Sequence, residues 1–320
     1  MACQSTLPVI NVITTCANRK SATPHPDLLV RNLTDSNIQR RANAWVDRLA
    51  LHKQAGIKVW DLYQGDHWAT IRALILARSE QRVRKVNIWV ASAGCGLLTP
   101  ETSVPAYGAT FAGGDIDSVV ARPTDRREWW RLLTSKLTFD ANTPRNVAEL
   151  ADRYPDSPIL VAGSAEYLDA MSDDLVVARG RLGTPEQLTI LCRKGAIPAS
   201  LAASEVRISA DLATVLGGAL TSLNARVLKW LVAEHPEIDR RSSIERSIQE
   251  LGATAFVRDV PIRNKTTDDE IRQFISNSLI EDRRLSGTVL LQRFRKSGRA
   301  AEQKRFRGLF HSTKEGVRVG

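Results

Sequence analysis

Three short apolar runs rich in β-branched residues, each stopping abruptly at small and polar side chains, constrain the fold of this chain most. Residues 7–14 (LPVINVIT) end at Thr15-Cys16-Ala17-Asn18-Arg19-Lys20. Residues 57–60 (IKVW) end at Asp61 and lead on through Tyr63, Gly65 and His67. Residues 86–91 (VNIWVA) end at Ser92-Ala93-Gly94-Cys95-Gly96, and Tyr107, Phe111, Asp115 and Asp117 follow. Such runs read as buried strands. Between the first two, Ile38, Ala42, Trp45, Val46 and Leu49 fall at helical spacing, with Asp35 or Ser36 placed to cap the helix. A second helix is expected near residues 69–77. Strands alternating with helices build a mainly parallel α/β sheet with helices on both faces. In such a sheet the ligand crevice lies beyond the carboxyl ends of the strands. All three exit loops are therefore expected to meet at one pocket.

Further along, helices are expected over residues 126–137 and 146–153. A fourth strand (158–162) turns through Gly163-Ser164-Ala165-Glu166-Tyr167 into a helix, and a fifth covers 188–192. Ser209-Ala210-Asp211 reads as the cap of one long helix, with Leu212, Leu216, Leu220, Leu223, Val227 and Leu231 as its stripe and Gly217-Gly218 inside it. A charged, apolar-poor linker over 263–270 divides the chain into an α/β domain, 1–262, and a helical module, 263–320. In that module Thr267 or Asp268 caps one helix and Ser286 a second. A third runs near 300–310 after a break at Ser297-Gly298. Three short helices, the last basic, suit a helix-turn-helix-like, DNA-binding module.

With 43% apolar and 25% charged residues the composition is that of a globular protein. No apolar run reaches the roughly 18 residues that span a bilayer. Residues 1–16 lack the basic n-region of a secretory leader, so the expected location is cytoplasmic. Cys3, Cys16, Cys95 and Cys192 lie far apart without a CxxC, and the five histidines form no HExxH. Neither a disulfide framework nor a metal site nor another cofactor is expected. Nothing calls for more than a monomer. The net charge of +10 is unevenly placed: from residue 291 to 314, eight basic residues, among them Lys296, Arg299, Lys304, Arg305 and Arg307, stand against Glu302 alone. A clustered excess favours a polyanion, because each neutralised phosphate releases counterions. A solvated basic tail is the plain alternative.

Glycines add no Cβ, so the 92–96 loop lets a ligand approach the backbone, with Ser92, Gly94 and Gly96 offering amides to a base carbonyl or phosphate. No GxGxxG or P-loop is present. Tyr63, Tyr107 and Phe111 suit a flat polar ligand such as a nucleobase. Gly65 gives access beside them, and His67 is either part of that pocket or a neighbour of a helix cap. Asn18 can read a base edge or hold a water while Arg19 and Lys20 meet phosphate; a solvated turn is the alternative. Asp115 and Asp117 are the acids nearest this region. In cleavage of an N-glycosidic bond, a carboxylate stabilises the oxocarbenium-like sugar and orients water. Asp117 is favoured, because two preceding glycines make Asp115 a turn residue; both in a solvated turn is the alternative. Cys16 and Cys95 read as small packing residues.

The loops TTCANRK, DLYQGDHW and SAGCGLL…PAYGATF, with the tail GRAAEQKRFRGLF, resemble a bacterial group distantly related to the YaaA-type proteins and found in phage-defence loci. The resemblance covers roughly residues 8–235 and points to DNA glycosylases that inhibit bacteriophage replication, with uracil-DNA-glycosylase-like α/β folds. It implies excision of glucosylated hydroxymethylcytosine from double-stranded phage DNA, leaving abasic sites. Such an enzyme flips its target base, stacks it and neutralises the flanking phosphates. The resemblance gives the stacking to Tyr63, Tyr107 and Phe111, and the phosphates to Arg19, Lys20 and the C-terminal cluster. One departure stands out: the water-activating aspartate of the uracil enzymes' first loop has no counterpart, and Cys16-Ala17-Asn18 stands there instead. The acid then comes from elsewhere, or Asn18 holds the water. Two other readings stay open. One is base exchange by a transglycosylase, with a carboxylate or Lys20 attacking the sugar; the other is a DNA-binding regulator without catalysis.

Overall fold

The computed structural model describes residues 9–78, 84–193, 197–235, 238–256 and 264–318. Cys3, Leu7 and Arg263, which carry parts of the expectations above, lie outside the described residues, as does the side chain of Lys304. Two compact units divide between Val257 and Arg258.

The first unit opens with β1 (Val9–Thr15), α1 (Ile38–Leu51), β2 (Ile57–Lys58), α2 (Val59–Leu62) and α3 (Asp66–Arg78). Next come β3 (Lys85–Ser92), β4 (Gly96–Leu98), β5 (Ser103–Val104), α4 (Arg126–Lys136), α5 (Val147–Arg153) and β6 (Ile159–Ala162). It finishes with α6 (Ala165–Ala170), α7 (Ser172–Arg181), β7 (Leu188–Cys192), β8 (Glu205–Arg207), α8 (Ala213–Leu216), α9 (Leu223–Glu234) and α10 (Arg241–Ala253).

Val9, Ile10, Val12 and Ile13 make β1 apolar on both faces, which fits a strand at the centre of a covered sheet. It pairs in parallel with β3, from Val9↔Lys85 to Thr15↔Ala91, and with β6, from Asn11↔Ile159 to Ile13↔Val161. β7 and β8 continue the sheet in parallel beyond β6, and β4 runs antiparallel along the other edge. The order is β4-β3-β1-β6-β7-β8. The chain leaves β1 for β3 on one side and returns to β6 on the other. The topological switch point, where α/β sheets hold ligands, is thus between β1 and β6. Around the sheet, α1 packs on α4 and α4 on α6, while α3 packs on α9, which lies against β6 and β7. Asn37 caps α1, accepting from Arg40 N at 3.1 Å, and Asp35 instead accepts from Asn37 N at 2.9 Å.

Two expectations are corrected. The run 57–60 contributes no strand to the central sheet. Ile57 and Lys58 pair only with Val104 and Ser103, and Val59 and Trp60 donate their amides to Thr102 O and Pro100 O. Those bonds satisfy the backbone locally, so the chain turns into α2 and β1 lies directly beside β3. The long helix from residue 209 is also broken. Gly217 and Gly218 take φ of +69° and +74°, outside the helical region, and α9 starts afresh at Leu223. The positive φ of Gly218 is what calls for glycine there, and the Arg226 guanidinium lies in the space a Cβ would take.

The second unit comprises β9 (Asn264–Lys265), α11 (Asp268–Glu281), α12 (Gly287–Lys296), β10 (Arg299–Ala300) and α13 (Gln303–Arg318). Thr267 and Glu270 form a reciprocal capping box on α11, and Ser286 Oγ caps α12 through Val289 N. The expected linker is largely part of this fold, because Asn264 and Lys265 pair in parallel with Arg299 and Ala300. Ile271, Ile275, Leu290, Phe294, Phe306 and Phe310 form its core. Among the described residues, no helix is long and apolar enough to cross a membrane.

Candidate functional site

The β1 exit loop and the segment after α2 run side by side: Ser21 N donates to Leu62 O at 2.8 Å and Gln64 N to Arg19 O at 2.9 Å. The Tyr63 hydroxyl meets that of Tyr107 at 2.6 Å, and the Tyr107 hydroxyl meets Ser92 Oγ at 2.5 Å. Ser92 Oγ also accepts from Gly94 N (3.2 Å) and Cys95 N (3.0 Å). The three exit loops therefore do come together. Their meeting point is interior, since Tyr63, Ser92 and Tyr107 are all wholly buried.

Lys20 stands over this cluster, its Nζ 4.3 Å from the Tyr107 ring centre and 5.7 Å from that of Tyr63. Among the described residues the ammonium has only long bonds, to Ala17 O (3.3 Å) and Asn18 O (3.4 Å). Burial lowers its pKa from the ordinary 10.5, against opposing influences from Cys16, Cys95 and Asp117. Beneath it, Cys16 Sγ meets the Tyr167 hydroxyl at 3.1 Å, and Phe111 lies edge-on to Tyr167 at 5.0 Å. Burial pushes the Tyr63, Tyr107 and Tyr167 phenols and the Cys95 thiol above their usual ranges, so these four are neutral at physiological pH. Strongly perturbed groups gathered at a strand rim mark a candidate site.

Several expected roles change with this burial. Tyr63, Tyr107 and Phe111 have no open ring face to stack on a base. The Gly94 and Cys95 amides are engaged by Ser92. Gly94 makes room for Tyr107 rather than for a ligand, because a Cβ there would lie 2.6 Å from the Tyr107 ring. Gly65, at φ +99°, is needed for its backbone conformation. Asn18 and Arg19 are exposed beside Lys20. Asp117 is gripped by Arg31, which donates through Nε (3.0 Å) and Nη2 (2.8 Å). Asp115 is the turn residue, accepting from Asp117 N at 2.9 Å, and it lines a separate cavity of about 460 Å³.

At the β1–β6 switch point lies a cavity of about 380 Å³ whose lining includes Thr15, His67, Ser164, Glu166, Arg193 and Asn224. His67 Nε2 donates to Thr15 O at 3.0 Å, and burial lowers the imidazole pKa, which keeps it neutral at pH 7. Glu166 accepts from Ser164 Oγ at 2.8 Å. Asn224 Nδ2 donates to Gly163 O at 2.7 Å, which fixes the amide and leaves Oδ1 buried with no partner among the described residues. Of this set only His67 was singled out from the sequence. The turn after the fourth strand, Gly163-Ser164-Ala165-Glu166, was the available signal for Glu166, by the rule that strand ends hold ligands.

In the second unit the expected phosphate contacts separate into two groups. Arg299 stacks on Phe274 and Phe294, 4.7 and 4.4 Å from their centres, and Arg305 is paired with Asp268. These two build the unit. Lys296 and Arg307 are exposed, as is Arg293. Compared with known proteins, the chain matches no family model and no curated protein.

Proposed function

We propose that the chain is a DNA glycosylase, hydrolysing the N-glycosidic bond of a modified cytosine and leaving an abasic site. The observation that carries this reading is the Glu166 carboxylate among the residues lining the cavity at the switch point, with one hydroxyl bonded to it. In this reading it steadies an oxocarbenium-like sugar and orients water. Asp117, held at both oxygens by Arg31, supports the loop instead. Lys20 adds a cation at the β1 exit. The hypermodified base, glucosylated hydroxymethylcytosine in double-stranded phage DNA, rests on the resemblance of the three loops.

The test is incubation of the full chain with glucosylated-hydroxymethylcytosine phage DNA and with unmodified DNA, followed by mass spectrometry of released bases. The expected result is a freed modified base and alkali-labile sites in the first DNA alone. Release of no base from either overturns the proposal. A second reading, a DNA-binding protein without catalysis, draws on the exposed cations Arg293, Lys296 and Arg307; salt-steep binding to unchanged DNA is its signature.

A further inference from the structure

His25 precedes the short 3-10 turn Pro26–Leu28, and His52 ends α1. Although far apart in sequence, they meet at one carboxylate. His25 Nδ1 and His52 Nε2 each lie 3.4 Å from Asp27 Oδ2, and the two imidazole centres are 4.4 Å apart. One donor atom from each of the three residues lies within 4.8 Å of the other two. Donors held tetrahedrally at about 2.0–2.1 Å from one ion stand about 3.3–3.4 Å apart. Both histidine–aspartate separations already have that value.

We propose that His25, Asp27 and His52 bind one zinc-class divalent ion, with water at the fourth position. Two imidazoles and one carboxylate are the donors such an ion prefers, whereas Mg²⁺ and Ca²⁺ take oxygen. The turn is held for the purpose by bonds that leave the donors free: Arg48 Nη1 donates to Asp27 O (3.1 Å), and Asn32 Nδ2 to Pro26 O (2.8 Å). Among the described residues, the Asp27 carboxylate pairs with these two imidazoles and with no lysine or arginine. Among the described residues, the bonds an ion would displace are the 3.3 Å contact from Asp27 N to His25 Nδ1 and the 3.4 Å contact between His52 Nε2 and Asp27 Oδ2. The ion would tie the β1–α1 connection to the end of α1. That same connection pairs with Gly108 through Leu28 O (2.7 Å) and Val30 N (2.9 Å) and carries Arg31 to Asp117.

The experiment uses tag-free full chain stripped with a chelator, titrated calorimetrically with Zn²⁺ and optically with Co²⁺. The expected result is one equivalent bound, a visible Co²⁺ spectrum of tetrahedral intensity, and a thermal midpoint raised by about 2–4 °C. H25Q, D27N and H52Q should each weaken Zn²⁺ binding about tenfold or more, since each removes one of three protein ligands. Circular dichroism of each variant confirms that it is folded. The histidine variants, at solvent-accessible positions, keep the test open should D27N fail to fold. A flat titration, or Zn²⁺ binding and a Co²⁺ spectrum unchanged in the H25Q/H52Q double variant, overturns the proposal.

Discussion

In the first unit Lys20, Tyr63, Ser92, Tyr107 and Cys16 lie in or against an apolar interior, where the hydroxyls of Tyr63, Tyr107 and Ser92 stand 2.5–2.6 Å apart. In the second unit Arg293, Lys296 and Arg307 stand in water around a core of Ile271, Phe294 and Phe306. Burying polar groups costs stability unless every partner is met. The interior cluster leaves a cation in long bonds even so, which under the proposed function suits a site that uses a perturbed group. Exposed cations cost little and act through their summed field. If this division is right and the proposed function holds, changes in the first unit move rate and stability, and changes at the exposed cations of the second move only the salt dependence of DNA binding.

The largest expected effect is on Glu166. E166Q keeps the size of the side chain and its Ser164 bond, so thermal midpoint and DNA affinity should hold. Base release should fall by about 10²–10⁴-fold, the usual range for losing a charged catalytic group. If E166Q is active while D117N is not, the carboxylate assignment passes to Asp117.

Next is Lys20. K20M should lower base release by about 10²-fold, as for removal of one electrostatic stabiliser, and raise the thermal midpoint at neutral pH. The sign follows from the lowered pKa, which means that the folded protein disfavours the charged amine. Below the folded-state pKa that penalty is complete. As pH rises towards the unfolded value of 10.5, the unfolded chain binds more protons than the folded one, and the penalty is relieved. Chemical denaturation of both proteins from pH 7 to 10 checks this, with the native chain expected to gain on K20M as pH rises. The buried tyrosines, common to both proteins, cancel in the difference.

How much of this was legible depended on the interaction concerned. β1, β3, β6 and β7 stood out because β-branched runs buried on both faces have no other stable placement. The run IKVW carried the same signal and is no sheet strand, because the turn at 100–102 offered nearer backbone partners. Lys20, Tyr63 and Ser92 were marked by their place at the ends of runs. Their burial was not marked, because Tyr107 arrives from a loop through the space that Gly94 leaves. Glu166 and Asn224 depend on β6 pairing with β1 on the side away from β3, and strand order has no local signature. The pairing of His25 with His52 is set by a loop returning to a helix end, which spacing does not encode.

Tyr107 probes the interior side of the comparison. Y107F removes the hydroxyl joining Tyr63 to Ser92, and leaving buried hydroxyls short of a partner should cost about 1–3 kcal/mol in urea unfolding. A loss near zero would mean that the two hydroxyls find other partners, and that the network is not what closes the three loops together.

The smallest effect belongs to the second unit. Replacing Lys296 and Arg307 with alanine leaves the Phe294–Phe306 core intact, so the thermal midpoint should not move. If each cation meets a phosphate, the slope of log binding constant against log salt should fall by about 1 per residue, evenly across DNA sequences. R299A is the control on the other side, because its guanidinium lies on Phe274 and Phe294. It should lower the stability of the second unit by about 0.5–2 kcal/mol. A slope change in R299A as large as in Lys296→Ala would place the stacked arginine on DNA and erase the distinction between cations that build this unit and cations that use it.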